Sequence, residues 1–140
     1  MTYYFDMDGT ITNLYGVENW LNFLEIESAW PYIAAAPLVN PEIFCAAARE
    51  LKAKGINFGI ISWTAKNGTK SYNKTVREAK RAWLDHYFPE IFTEIHIVKY
   101  GTSKFSVKND EGILFDDEEK NRLKWKGLAF SPEKIPEIMY

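Results

Sequence analysis

Two aspartates one residue apart, Asp6 and Asp8, close an apolar run near the start of the chain, with Gly9 and Thr10 directly behind them. Like charges at that spacing repel, so a fold that keeps them together supplies a cation or a perturbed proton. A second acidic pair, Asp116 and Asp117, ends another apolar run far along the chain. Between the pairs lie Ser62, at the end of a third apolar run with Thr64 close by, and a loop bearing Lys99 and Lys104. Carboxylates, a hydroxyl and an ammonium form a set suited to phosphoryl transfer through a divalent cation. Mg²⁺ prefers a few hard oxygen ligands and keeps several waters. It bridges carboxylate and phosphate and offsets their repulsion. Lysine, hydroxyl and backbone donors then hold the remaining phosphate oxygens. One carboxylate can attack phosphorus as a nucleophile, and a second, two residues on, can act as general acid and then base.

These groups act together only if the fold gathers them. Apolar runs predict strands at residues 2–5, 56–61, 94–98, 112–115 and 127–130. Val17, Trp20, Leu21 and Leu24 share one helical face. Residues 28–40 read as irregular, broken by Pro31 and Pro37. Asn40-Pro41-Glu42 starts a helix that ends at Lys54-Gly55. After the Asn67-Gly68 turn, a strong helix carries Tyr72, Val76, Ala79, Trp83 and Tyr87 on one stripe. Residues 100–110 read as a polar loop, residues 121–125 as a short helix, and Ser131-Pro132 as a last helical turn that Pro136 disturbs. Alternating strands and helices predict an α/β fold with a central, mainly parallel sheet. Ligands then bind beyond the carboxyl ends of the strands, where the four polar groups stand. Residues 11–40 are long for a plain connection and read as a small insertion that can lie over the site.

The 140 residues suit one domain, and 46% hydrophobic with 26% charged residues is a globular balance. A net charge of −2 argues against a dedicated nucleic-acid surface. A lone cysteine, Cys45, excludes an internal disulfide framework and fits a cytoplasmic setting. No apolar run reaches the length of a membrane span, and the strand signal at the N-terminus leaves no secretory leader expected.

Asp6-Met7-Asp8-Gly9-Thr10 resembles the first motif of the haloacid dehalogenase-like (HAD) superfamily. Ser62 resembles the second motif. A lysine upstream of an apolar strand ending in paired aspartates resembles the third and fourth. Phe115-Asp116-Asp117-Glu118, with Asn121 following, and Gly101-Thr102-Ser103-Lys104 look most like the small magnesium-dependent phosphatases of that superfamily. The resemblance implies a three-layer Rossmann-like HAD fold over residues 1–140, with a minimal cap at about 11–40. It implies a Mg²⁺-dependent phosphomonoester hydrolase acting through an aspartyl-phosphate on Asp6, with Asp8 as general acid/base. Asp6, Asp8 (by its backbone carbonyl), Asp116 and Asp117 would hold the metal. Ser62, Lys104 and Thr10 would hold the phosphoryl group, with Lys104 favoured over Lys99 and Lys108. Asn121 stands where other members place an acid, and would tether the last loop. The acid at position 8 points to a phosphatase or a phosphomutase. A non-catalytic domain that binds phosphate and Mg²⁺ is the other alternative. The implied partner is a phosphorylated substrate: a nucleotide, a sugar phosphate or a phosphoprotein.

Each residue also has a plainer role open to it. Asp6 and Asp8 can form a solvated acidic turn, Ser62 can cap one, and Lys104 can be an ordinary loop lysine. Asp116 and Asp117 can cap the following helix. Trp63, Trp20, Trp30 and Tyr15 can face substrate or fill the core. His86, His96 and Cys45 read as structural.

Overall fold

β1 (Thr2–Phe5) lies at the centre of a five-stranded sheet in the computed structural model, which describes residues 1–108 and 112–140. β2 (Asn57–Trp63) and β4 (Ile113–Phe115) flank it, and β3 (Glu94–Val98) and β5 (Ala129–Phe130) form the edges. The order is β3-β2-β1-β4-β5, and every pairing is parallel. Phe5 pairs in register with Ile60 on one side and Phe115 on the other. The chain builds outward from β1 to β3, then returns across the sheet to β4. That reversal opens a crevice between the carboxyl ends of β1 and β4, the place where open parallel sheets bind ligands. The predicted strands are all present, β1 and β3 with the expected ends and β2, β4 and β5 with shifted ones. β2 runs two residues further than expected because Ser62 and Trp63 pair with Ile97 and Val98, so Ser62 is a strand residue and not part of the loop. β5 begins only at Ala129.

The helices are α1 (Trp20–Glu25), α2 (Trp30–Ala34), α3 (Pro41–Ala53), α4 (Lys70–Tyr87), α5 (Lys104–Val107), α6 (Glu119–Lys124) and α7 (Ile135–Met139). Strands this apolar need cover on both faces, and the two covers differ. Tyr3, Phe5, Phe58, Ile60 and Phe115 face α3, α7 and the end of α4, meeting Phe44, Ile135 and Leu84 in the main core. Phe5 stacks on Phe58 and on Phe115, with ring centroids 5.9 and 4.8 Å apart. On the other face Tyr4, Ile61 and Leu114 meet Trp125 and Phe105 in a smaller cluster. The fold is thus a Rossmann-like α/β arrangement with one thick and one thin helical layer. Among the described residues no helix is long and apolar enough to cross a membrane.

Three expected segments differ from the fold. Residues 28–40 are not irregular throughout, since α2 occupies part of them. Pro31 falls in the first turn of α2, where a missing N–H costs nothing, so it starts a helix instead of breaking one. Pro136 behaves the same way in α7. Val17 lies outside α1, which begins at Trp20. The short helix after β4 starts at Glu119, two residues early, and Trp125 stands just beyond its end. Within the predicted polar loop 100–110, residues 104–107 form α5, while 109 and 110 lie outside the described residues. Residues 11–40 are bound to α4 by side chains at both ends of the helix. Glu27 accepts from the Thr69 N–H (2.9 Å) and hydroxyl (2.6 Å), the Tyr72 hydroxyl donates to Ser28 O (2.7 Å), and Trp83 Nε1 donates to Ala35 O (2.8 Å).

Candidate active site

Asp6 leaves β1 and Asp116 leaves β4, and because those strands are neighbours the two carboxylates meet at the crevice. Asp116 is fully buried. The Lys104 ammonium, on the first turn of α5, lies between them and donates to Asp6 Oδ1 (2.8 Å) and Asp116 Oδ2 (2.6 Å). Asp117 completes the cluster: Asp6, Asp116 and Asp117 each offer a carboxylate oxygen within 4.8 Å of the others. Thr10 ties the two loops together. Its hydroxyl donates to Asp6 Oδ2 (3.3 Å) and accepts from the Asp117 N–H (3.2 Å). Gly9 adopts φ +84°, and a Cβ there would run into the Asp117 carboxylate. The glycine is therefore required twice, for the left-handed backbone and for the room. Asn121 does tether the last loop, donating from Nδ2 to Asp116 Oδ2 (3.2 Å) and Glu118 Oε2 (3.3 Å).

The second corner of the site was not read from the sequence. Lys80, in the middle of α4, is 1% exposed and extends under the end of β2. Its ammonium donates to Asp8 Oδ2, Ser62 Oγ and Trp63 O, each at 2.8 Å. The Tyr32 ring of α2 covers it from 5.2 Å. The signal was available: Lys80 falls on the stripe of Tyr72 and Val76 at four-residue spacing, and a lysine on a buried helical face needs anionic partners. Asp8 Oδ1 and Thr64 Oγ1 are buried and have no hydrogen-bond partner among the described residues. Orphaned polar atoms beside a cleft are places for a ligand or water.

Four carboxylates thus face two ammoniums, and the imbalance shows in their protonation. Burial, then the charge of Asp6, pushes the Asp116 carboxyl up to about 6 and the Asp117 carboxyl up to about 8. Burial also raises Asp8, against the opposing pull of Lys80. Burial lowers Lys104, but Asp6 and Asp116 outweigh it, so its pKa ends above the usual lysine value. The three clustered carboxylates could hold a metal ion, because they offer hard oxygens and excess negative charge.

These groups open into a cleft of about 510 Å³. Asp6, Asp8, Lys104 and Thr64 line it, while Ser62 and Thr10 do not. Ser62 is fully enclosed beneath Asp8, and Thr10 is locked between the aspartate loops. Residues 11–40 contribute Leu14, Tyr15, Trp20 and Tyr32 to the lining, and the sheet ends contribute Trp63 and Tyr100. Trp30 does not line the cleft, contrary to the role considered for it, and is half exposed. Burial, then the charges of Asp8 and Asp117, raises the Tyr15 phenol, which keeps it neutral. Among the three candidate lysines only Lys104 reaches the aspartates; Lys108 lies 3.6 Å from Glu94. His96 pairs with Glu94 (3.0 Å), His86 packs on Tyr87, and neither lines the cleft. Cys45 is a buried thiol donating to Tyr87 O (3.7 Å), its pKa raised by that burial.

Compared with protein-family models and with curated proteins, the chain matches none.

Proposed function

We propose that this chain is a Mg²⁺-dependent phosphomonoester hydrolase of the HAD-like type. The observation that carries the reading is the cluster of Asp6, Asp116 and Asp117 at the switch point of the sheet, with the Lys104 ammonium shared by Asp6 and Asp116. Asp6, Asp116 and Asp117 would hold the metal, with the Asp8 backbone carbonyl as a further oxygen. When bound, Mg²⁺ neutralises phosphate charge and draws electron density from the phosphoryl oxygens.

The remaining work falls to the side chains. Lys104 spends two N–H groups on Asp6 and Asp116, and its third is left for a phosphoryl oxygen. Thr64 also lines the cleft, and its buried hydroxyl, which has no partner among the described residues, is the donor nearest to hand for another once a ligand draws it out. Ser62 serves beneath it, as the hydroxyl that helps hold Lys80 in place. A carboxylate oxygen of Asp6 attacks phosphorus, the phosphorus–alcohol bond breaks, and Asp8 gives its proton to the leaving oxygen. The elevated pKa of Asp8 suits that donation. In the second half Asp8 takes a proton from water, the water oxygen attacks phosphorus, and the bond to Asp6 breaks. Inorganic phosphate leaves and both aspartates return to their starting states.

The test is phosphate release from p-nitrophenyl phosphate with and without Mg²⁺. Chelation is expected to abolish turnover, and Asp6→Asn to lower kcat by about 10³-fold or more, as loss of a covalent nucleophile does. Full Mg²⁺-dependent turnover by Asp6→Asn would remove the nucleophile assignment.

A further inference from the structure

The cleft above the aspartates is larger than a phosphoryl group needs, and its lining is specific. Residues 11–40 supply an aromatic pair, Tyr15 and Trp20, with ring centroids 5.0 Å apart. The ends of β2 and β3 supply another, Trp63 and Tyr100, at 4.9 Å. Both pairs sit beside the reacting groups. Tyr15 crowds Gly9, its Cε2 3.1 Å from where a Cβ would stand, and the Lys104 ammonium lies 5.3 Å from the Trp63 ring centre. Trp63 is held in its pose by a hydrogen bond from Nε1 to Thr102 O (2.9 Å). Four aromatic rings from two separate parts of the chain are a platform for a flat π-system, which stacks at little cost in side-chain ordering.

Charge narrows the choice. Glu25 and Glu118 line the cleft, and Lys66 is the only lining cation besides Lys104 among the described residues. A second or third phosphate on the same substrate would meet carboxylates and have no lysine cluster to receive it. Asn67, Lys66 and Glu25 do offer donors and acceptors for the edges of a polar ring or for sugar hydroxyls. A plain phenyl group would use none of them.

We infer that the substrate is a nucleoside monophosphate, its base stacked on these aromatic side chains and its single phosphate on Lys104. The inference rests on the phosphomonoesterase reading and adds the leaving group to it. Base and ribose bind in the cleft, and diphosphates and triphosphates are refused by its acidic lining.

The experiment compares kcat/KM, with Mg²⁺, for a nucleoside 5′-monophosphate, its diphosphate and triphosphate, ribose 5-phosphate, and a phosphotyrosine peptide. The monophosphate is expected to exceed ribose 5-phosphate by about tenfold or more, the value of one base stacked on an aromatic ring, and to exceed the di- and triphosphates as well. Trp20→Ala should cut the ratio of monophosphate to ribose 5-phosphate about tenfold, and Trp20→Phe, which keeps a ring, should restore most of it. A parallel arm titrates Asp6→Asn with the monophosphate and follows tryptophan fluorescence, so that binding is read without turnover. Equal rates on the monophosphate and ribose 5-phosphate, or a preference for the peptide or the triphosphate, overturn this inference and leave the hydrolase reading standing. Saturable binding of the monophosphate with no hydrolysis of any ester overturns the hydrolase reading and leaves the aromatic platform standing.

Discussion

The site has two buried lysines, and they differ in how many donors they have left. Lys80 gives all three of its N–H groups to the protein: Asp8, Ser62 and the carbonyl of Trp63. Lys104 gives two, to Asp6 and Asp116, and lines the open cleft. A saturated ammonium is a fixed strut, whereas one with a donor to spare is a binding group. Their locations follow suit. Lys80 belongs to an 18-residue helix, while Lys104, although buried, rides on a single turn and lines the cleft. Under the proposed function, the difference would assign Lys104 to the metal-and-phosphate half of the site and Lys80 to the proton-transfer half.

Removing Lys104 should have the larger effect. Lys104→Met leaves Asp6 and Asp116 facing each other without their shared cation, and loss of one member of a buried ion pair costs about 3–5 kcal/mol. Phosphatase kcat/KM should fall by about 10²-fold or more, as for loss of a donor in a dry site. Mg²⁺ binding should move the opposite way and tighten by roughly threefold or more, because a competing positive charge has gone. Calorimetric titration with Mg²⁺ and thermal unfolding with and without the ion measure both. Weaker Mg²⁺ binding in Lys104→Met would mean that Lys104 supports the metal site and does not compete with it.

Lys80→Met sharpens the comparison from the other side. It leaves Asp8 and Ser62 without their common donor and should destabilise by about 3 kcal/mol. Its signature is expected in the chemistry and not in the metal, with Mg²⁺ affinity changed by less than about twofold, since Lys80 touches none of the three clustered carboxylates. A misplaced acid matters most when the leaving oxygen needs a proton. The drop in kcat should therefore be about tenfold greater for an alkyl phosphate than for p-nitrophenyl phosphate. Lys80→Arg keeps the charge and tests whether charge alone is enough. An equal loss on both esters would make Lys80 a stability residue with no part in placing Asp8.

This contrast also marks how far the sequence could be read. The strands, their parallel order of use and the acidic residues at their ends follow from local signals: apolar runs, turn residues and charges that interrupt them. The preference for Lys104 over Lys99 and Lys108 comes from the resemblance of Gly101-Thr102-Ser103-Lys104 to the lysine loop of the small magnesium-dependent phosphatases, not from a local signal. Lys80 sat in plain view on the apolar stripe of α4, but its partner Asp8 lies 72 residues away, and no local pattern joins them. The position of Ser62 has a similar reason. Which residue of Ser62-Trp63-Thr64 lines the cleft depends on where β2 stops, and that is decided by the pairing of Ser62 and Trp63 with Ile97 and Val98 on β3. Pro31 misled because proline stops a helix from within but starts one at its first turn. The identity of neighbours across the sheet, more than the nature of any element, is what the chain does not write locally.

The smallest expected effect distinguishes the two halves by pH. Asp116 and Asp117 have folded pKa values raised from 3.8 to about 6 and about 8, by burial first and then by the charge of Asp6. A raised acid holds more protons folded than unfolded, so the stability it contributes is complete below 3.8 and is lost as pH climbs through the folded value. The metal-free protein should accordingly melt at lower temperature as pH rises through about 6 and about 8. Saturating Mg²⁺ should flatten that slope, because the ion takes the place of the protons. Mg²⁺ affinity should rise over the same window, by no more than about tenfold per pH unit for each proton released. Asp117→Asn removes the upper part of the transition and should leave a shallower slope between about 6 and about 8. Lys80→Met leaves the three clustered carboxylates in place and should keep the Mg²⁺-dependent part of the slope. If Asp117→Asn melts with the slope of the wild type, the crowded charge lies with Asp8 and Lys80, and the division of labour between the two lysines is drawn in the wrong place.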